Sequence, residues 1–238
     1  MLLQALLQNR ETELEMDNGD FYVGCAKNGK PHGKGKMLHA NEDVYEGEYK
    51  NGLRHGNGHL TKANGYDYEG EWQDDQPHGE GIEYLADGEY YEGYFHLGKR
   101  HGEGYIESTD GSTIDGMFKH GLPWGYCEEV QQDGPTYKGM FLLGQKTGLG
   151  KLEDEDGNVI QGFFEKGILN RQGKQKTKDG DEYQGGFKDN VRCGQGKLEM
   201  SDGMIYEGEF KDDLANGIGK LVWPNGEIYE GRMKHGKC

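Results

Sequence analysis

Tyr68-Glu69-Gly70-Glu71-Trp72, continuing through Pro77-His78-Gly79-Glu80-Gly81 to Asp87-Gly88, is the stretch from which the fold can be read. Side chains of an extended strand alternate between faces, so Tyr68, Gly70 and Trp72 share one face while Glu69 and Glu71 share the other. A step of 23 residues in either direction recovers the same pattern. Gly24, Gly47, Gly70, Gly93, Gly116, Gly139, Gly162, Gly185, Gly208 and Gly231 follow one another without a miss. Two residues before them stand Tyr22, Tyr45, Tyr68, Tyr91, Ile114, Tyr137, Ile160, Tyr183, Tyr206 and Tyr229. Two residues after them, from Tyr49 to Phe210, every copy is aromatic, including Trp72, Phe95, Phe118, Phe141, Phe164 and Phe187. A period of this length marks a repeat array in which each unit contacts only its neighbours.

The links between strands are equally regular. Asn51-Gly52 and Asn64-Gly65 bracket the second strand of one copy, and Asp87-Gly88, Asp110-Gly111, Asp133-Gly134, Asp156-Gly157, Asp179-Gly180, Asp202-Gly203 and Asn225-Gly226 recur in register. Such pairs favour type I′ hairpin turns, where both central residues need positive φ. Each repeat is therefore expected to be two short antiparallel strands and two tight turns. The glycines on the aromatic face let rings lie directly on the backbone. They are not phosphate loops, because no helical pattern follows Gly33-Lys34-Gly35 or its copies to supply a helix N-terminus. The expected fold is all-β: one elongated, twisted antiparallel sheet of tandem 23-residue hairpins. At about 4.8 Å per strand it would be a rod on the order of 90 Å long.

Composition agrees with a thin core. Of 238 residues 43 are Gly, only 32% are apolar and the mean hydropathy is −0.99, yet 11% are aromatic, led by 15 Tyr. The formal charge of −16 argues against nucleic acid and against anionic membrane surfaces, which are bound through clustered Lys and Arg. Cys25, Cys127, Cys193 and Cys238 share no spacing and form no secreted disulfide framework, which points to a reducing, cytoplasmic setting. The Leu2–Leu7 stretch is too short to span a bilayer and lacks the flanks of a secretion signal.

The unit from Tyr68 to Gly88 resembles the MORN (membrane occupation and recognition nexus) repeat, Y-x-G-x-x-x-x-G-x-x-H-G-x-G with a closing glycine. The likeness runs from residue 19 to residue 238, about nine and a half repeats. It implies a long twisted antiparallel sheet of the kind used in junctophilins, sperm and ciliary proteins, lipid kinases and parasite cytoskeletal scaffolds, with roles in membrane attachment, protein binding and self-association.

Departures from the pattern are local. The histidine is intact at His32, His55, His78 and His101, then becomes Trp124, Thr147, Asn170, Cys193 and Asn216. Cys127 replaces the second glycine of one copy, and Asn170-Arg171-Gln172-Gly173 replaces the usual His-Gly-x-Gly, so 114–173 is an irregular middle suited to a bend or a specialised contact. Residues 1–18 combine the helical spacing of Leu2, Leu3, Leu6 and Leu7 with a half repeat at Leu14 and Asp17-Asn18-Gly19, giving a short N-terminal helical cap ahead of the 19–238 array.

No catalytic constellation emerges. The four signature histidines recur one per repeat, roughly 10 Å apart, too far for two to share a zinc ion, and Glu46, Glu48, Glu69, Glu71, Glu92, Glu207, Glu209 and Glu230 read as a solvated acidic face. The favoured function is a non-enzymatic scaffold, cytoplasmic and cytoskeleton-associated, that binds partner proteins along an exposed aromatic groove formed by Tyr45, Tyr49, Tyr68, Trp72, Tyr91, Phe95, Phe118 and Trp124. A phosphoinositide or membrane adaptor is the alternative, resting on Lys174, Lys176 and Lys178. Homodimerisation is expected through the last repeat, with Trp223, Ile228, Tyr229 and Met233 as apolar contacts. Across such a two-fold axis, His235 and Cys238 from each copy would offer four ligands to a structural zinc; no other cofactor is expected.

Overall fold

A computed structural model of the chain describes residues 12–237, and these residues divide into two compact units, with the boundary between Leu122 and Pro123. The Leu-rich start at Leu2–Leu7, on which the helical cap rests, lies outside the described residues, as does Cys238. Among the described residues there are strands and turns and no helix.

The first unit is an antiparallel meander in which each strand pairs with the next: β1 (Thr12–Glu15), β2 (Phe21–Lys27), β3 (Lys30–Leu38), β4 (Val44–Lys50), β5 (Leu53–Thr61), β6 (Asp67–Gln73), β7 (Gln76–Tyr84), β8 (Tyr90–His96), β9 (Lys99–Glu107) and β10 (Thr113–Lys119). The second unit repeats the plan with β11 (Leu122–Val130), β12 (Thr136–Leu142), β13 (Gln145–Glu153), β14 (Val159–Glu165), β15 (Ile168–Lys176), β16 (Glu182–Lys188), β17 (Val191–Glu199), β18 (Ile205–Lys211), β19 (Leu214–Val222) and β20 (Ile228–Met233). The short β1 lays Leu14 opposite Tyr22, the pairing that Leu60 makes with Tyr68 further along.

The two turns of a repeat are of different kinds. The link inside a repeat is the two-residue hairpin expected from sequence, with Asn51 at φ 57° and Gly52 at φ 93°. Asp74 and Asp75 adopt the same left-handed pair at 49° and 67° without a glycine. The link between repeats differs from the expectation. At Asn64-Gly65 only the glycine is left-handed, Gly65 N–H donates to Lys62 O at 3.0 Å, and the Asn64 carboxamide oxygen accepts the Tyr66 N–H at 3.0 Å. This is a three-residue loop closed by a left-handed glycine, which accommodates Asn or Asp ahead of Gly as readily as a type I′ turn does.

Where a tyrosine opens the copy, its paired glycines have one physical cause. The Tyr68 ring lies across Gly70 and Gly81, and its hydroxyl donates to Glu71 O at 2.9 Å. A Cβ on Gly81 would sit 2.5 Å from that hydroxyl, and one on Gly70 would sit 2.5 Å from the Gly81 Cα. After Gly70 the register with β7 shifts by two residues before Trp72, a bulge that bends the strand over the ring row. The same shift follows Gly24, Gly47 and Gly93 in the first unit. A single sheet layer can therefore bury its rings completely: Tyr22, Tyr45, Tyr68 and Tyr91 are 0% exposed.

Candidate functional site

In the first unit the rings form an unbroken edge-to-face series, Tyr22–Tyr49–Tyr45–Trp72–Tyr68–Phe95–Tyr91–Phe118, with successive centroids 5.0–5.4 Å apart. Each contact of this geometry adds about 0.5–1.5 kcal/mol beyond the area it buries. Burial also pushes the phenols of Tyr22 and Tyr91 up to about 12.

The rings named from sequence as an exposed binding surface are thus the core. Tyr45, Tyr49, Tyr68, Trp72, Tyr91, Phe95 and Phe118 are at most 6% exposed, and only Trp124 is half-buried. Alternation had placed them correctly on one face; the bulges then fold that face over itself. What stays open above this floor in the first unit is a groove of about 780 Å³, walled by Asp20, His39, Asn41, Asp43, Arg54, Lys62, Asp75 and Pro77.

The walls are fixed by reciprocal contacts between successive hairpins. The Asp20 carboxylate accepts the Ala40 N–H at 3.0 Å and lies 2.9 Å from His39 Nδ1; Asp43 accepts the Ala63 N–H at 3.0 Å. These backbone donors hold both carboxyls below the usual carboxylate range. On the opposite wall Arg54 lies 4.2 Å from the Trp72 ring centroid, donates Nε to Asp75 Oδ1 at 3.1 Å and Nη2 to Asp75 O at 2.9 Å, while its own N–H donates to Asp75 Oδ1 at 2.9 Å. The same place in alternate repeats holds Arg100, 4.7 Å from the Tyr91 centroid and bonded to Glu83 and Glu89, then Lys146 over Tyr137 and Arg192 over Tyr183. Sequence reading missed these cations. The signal was there: Arg54, Arg100, Lys146 and Arg192 stand 46 residues apart, a two-repeat period hidden inside the 23-residue one.

The histidines also sit differently from their sequence spacing. His96 and His120 stand between the signature positions, so that His78, His96, His101 and His120 form a row with centroids 5.3, 5.5 and 6.0 Å apart. Burial, followed by the neighbouring His96, His120 and Lys119, holds the His101 imidazole below its ordinary value. Among the described residues no three His, Cys, Asp or Glu side chains converge to hold a metal ion. His235 occupies a left-handed turn position at φ 49°.

The remaining sequence candidates are scattered. Lys176 pairs with Glu182 at 2.6 Å and Lys178 with Asp156 at 2.9 Å, whereas Lys174 is exposed on the same face as Lys176. Of the four dimer candidates, Ile228 is 57% exposed and Trp223 and Tyr229 are half-buried. Met233 is 3% exposed, buried within its own unit.

Among solved structures, the chain is similar to the TCP10 domain of Danio rerio CPAP in complex with a STIL peptide, at 15% identity and a TM-score of 0.31, covering 94% of this chain and 100% of that one. It is also similar to the SAS-4 (dCPAP) TCP domain of Drosophila melanogaster bound to a proline-rich motif of Ana2, at 11% identity and a TM-score of 0.29, covering 94% and 90%. Neither likeness carries an argument about this chain. No curated protein matches it. The MORN repeat family matches at residues 22–44, 45–65, 68–90, 91–113, 115–136, 137–159, 183–205 and 206–228, passing over the copy that opens with Ile160 and the last one, which opens with Tyr229. These matches take in well over half of the residues, and the chain belongs to the MORN repeat family.

Proposed function

We propose that this protein is a non-enzymatic scaffold that holds partner proteins, in a cytoskeletal or membrane-proximal assembly, and that the groove of the first unit is where a partner sits. The observation that carries this reading is the construction of the groove. Its ring floor is spent on stability, while its polar walls are held by hydrogen bonds reaching 20 or 21 residues along the chain, from Asp20 to Ala40, from Asp43 to Ala63 and from Arg54 to Asp75. Rigid walls lose little entropy on binding, which is how a modest contact area becomes a specific one. The phosphoinositide reading draws less support, because two of its three lysines already have carboxylate partners.

The experiment is a pull-down from the native cell with wild-type protein and with an Ala40→Arg, Lys62→Glu variant, both substitutions lying on the groove wall. Partner proteins should be retained by the wild type and lost from the variant. Equal retention by the two would remove the groove from the function.

A further inference from the structure

The face opposite the rings changes character inside the second unit. Its central row is made by cross-strand pairs, and in the first unit these are polar or mixed: Lys34 opposite Glu48, Asn57 opposite Glu71, Glu80 opposite Tyr94. In the second unit two successive pairs are wholly apolar, Tyr126 opposite Met140 and Leu149 opposite Phe163. Further along, Gln172 faces Gly186 and Gln195 faces Glu209. Tyr126 is 61% exposed, Met140 41%, Leu149 71%, and Leu142, two residues beyond Met140 on the same face of β12, 47%. Large apolar side chains gathered on an exposed sheet face mark an interaction site.

We infer that this stripe across β11–β14 is a docking surface for the apolar side of an amphipathic α-helix from a partner protein. The inference rests on the protein-binding reading and assigns it a second surface. Two observations choose the occupant. The backbone groups of these strands are consumed in the ladders β11–β12, β12–β13 and β13–β14, so the face offers a partner side chains and no main-chain hydrogen bonds. A segment lying on it must satisfy its own backbone, as a helix does. The charges bordering the stripe are already neutralised in pairs, Lys138 with Glu128 at 2.8 Å, Lys151 with Glu153 at 2.8 Å and Arg171 with Glu165 at 2.7 Å. Arg171 also stacks on the Phe163 ring at 4.2 Å, so the stripe is uncharged from Tyr126 to Leu149 and carries one neutralised guanidinium at its β14 end; the complementary face is therefore uncharged at its centre. Three strand spacings of about 4.8 Å make a stripe about 14 Å long, the length of about ten helical residues.

The test uses the full chain and a synthetic, net-neutral peptide of about 15 residues with leucines at i, i+3, i+4, i+7 and i+11. Methyl NMR signals of Met140 and Leu149 should shift on titration, and a Met140→Glu, Leu149→Glu variant should bind at least tenfold more weakly. Both side chains are exposed, so an unchanged far-ultraviolet circular dichroism spectrum serves as the folding control. The inference is overturned if the methyl signals do not move at about millimolar peptide, if a central proline in the peptide leaves its affinity unchanged, or if the double variant binds as the wild type does. It is equally overturned if the wild type instead binds neutral lipid vesicles through this stripe, or self-associates through it. The Ala40→Arg, Lys62→Glu variant should keep its affinity for the peptide, which separates failure of this surface from failure of the groove.

Discussion

The two units share one hairpin plan but solve the problem of a single-layer core differently. The first keeps an aromatic ring at every position from Tyr45 to Phe118 except Ile114, and its rings touch without interruption. The second has two shorter series, Phe141–Tyr137–Phe164 and Phe187–Tyr183–Phe210–Tyr206, with the break after Phe164, inside the copy that opens with Ile160. In that copy Leu169 is fully buried, and its Cδ1 would lie 2.7 Å from a Cβ placed on Gly162. Leu169 stands where neighbouring repeats have Lys146 and Arg192. An aliphatic side chain entering from the opposite strand fills the volume that the missing tyrosine ring leaves. What the repeat requires is thus a filled space above its glycines, which a Tyr or an Ile–Leu pair can supply.

The sharpest way to break the regular solution is Gly81→Val. Its branched Cβ would meet the Tyr68 hydroxyl, and the ring cannot retreat because Trp72 and Phe95 pack against it at 5.0 Å. Overpacking of this kind costs about 1–3 kcal/mol, and losing the fixed ring adds to it, so a loss of about 3 kcal/mol or more is expected in urea unfolding followed by Trp fluorescence. Gly173→Ala in the irregular copy should cost far less. Its new Cβ would lie 3.1 Å from the edge of Phe187 and 3.0 Å from Gln161 O, contacts that small shifts relieve. Equal losses at the two positions would show that the Tyr68 ring is not what excludes a side chain at Gly81.

A gentler test exchanges one solution for the other. Leu169→Arg alone removes a fully buried side chain and should cost about 2–5 kcal/mol. Ile160→Tyr alone places a ring where the Leu169 methyl already sits and should cost about 1–3 kcal/mol. Together they rebuild the arrangement of the Tyr183–Arg192 copy, in which Arg192 lies 5.3 Å from the ring centroid, and the double variant should recover most of the loss. Additive losses in chemical denaturation would mean that Ile160 and Leu169 do not share one space.

These contrasts show what sequence could deliver. The 23-residue period, the strand alternation around Tyr68-Glu69-Gly70-Glu71-Trp72 and the turn glycines were enough for the hairpin array, because each reports a local requirement of backbone or packing. The exposure of the rings was not legible. Alternation says which side chains share a face; whether that face is open depends on the bulges after Gly47 and Gly70, which appear only as a register shift between strands. The same limit hid the histidine row, since His96 and His120 come beside His78 and His101 through cross-strand neighbours that a repeat-by-repeat spacing does not count. The apolar pairs Tyr126–Met140 and Leu149–Phe163 could have been found earlier by aligning the copies and asking which outward positions lose their polar residues.

The smallest expected effect concerns the clips between neighbouring loops, which also differ between the units. In the first unit these clips are made by carboxylates, Asp20 and Asp43 accepting the Ala40 and Ala63 N–H groups; in the second one is made by a carboxamide, Asn158 accepting the Lys178 N–H at 2.9 Å, and one by Asp181, accepting the Ser201 N–H at 2.8 Å. The backbone N–H bond is the main cause that lowers both carboxyls in the folded chain, ahead of their Asn and His neighbours. A carboxyl whose folded pKa is depressed stabilises the fold above its unfolded value near 3.8, and that contribution disappears as pH falls through the lower folded value. Acidification below about pH 4 should therefore weaken wild-type protein more than an Asp20→Asn, Asp43→Asn variant, which keeps an acceptor oxygen but no titrating group. At neutral pH the double variant should lose about 0.5–1.5 kcal/mol, the difference between a charged and a neutral acceptor at an exposed bond. Hydrogen exchange measured by NMR gives the site-specific reading. The Ala40 and Ala63 amides should lose protection in wild type as pH drops from 5 to 3 once intrinsic rates are corrected, while the Lys178 amide, 2.9 Å from the carboxamide Oδ1 of Asn158 in the second unit, supplies the internal comparison. Acid unfolding curves that coincide for wild type and variant would show that the loop clips carry no linkage.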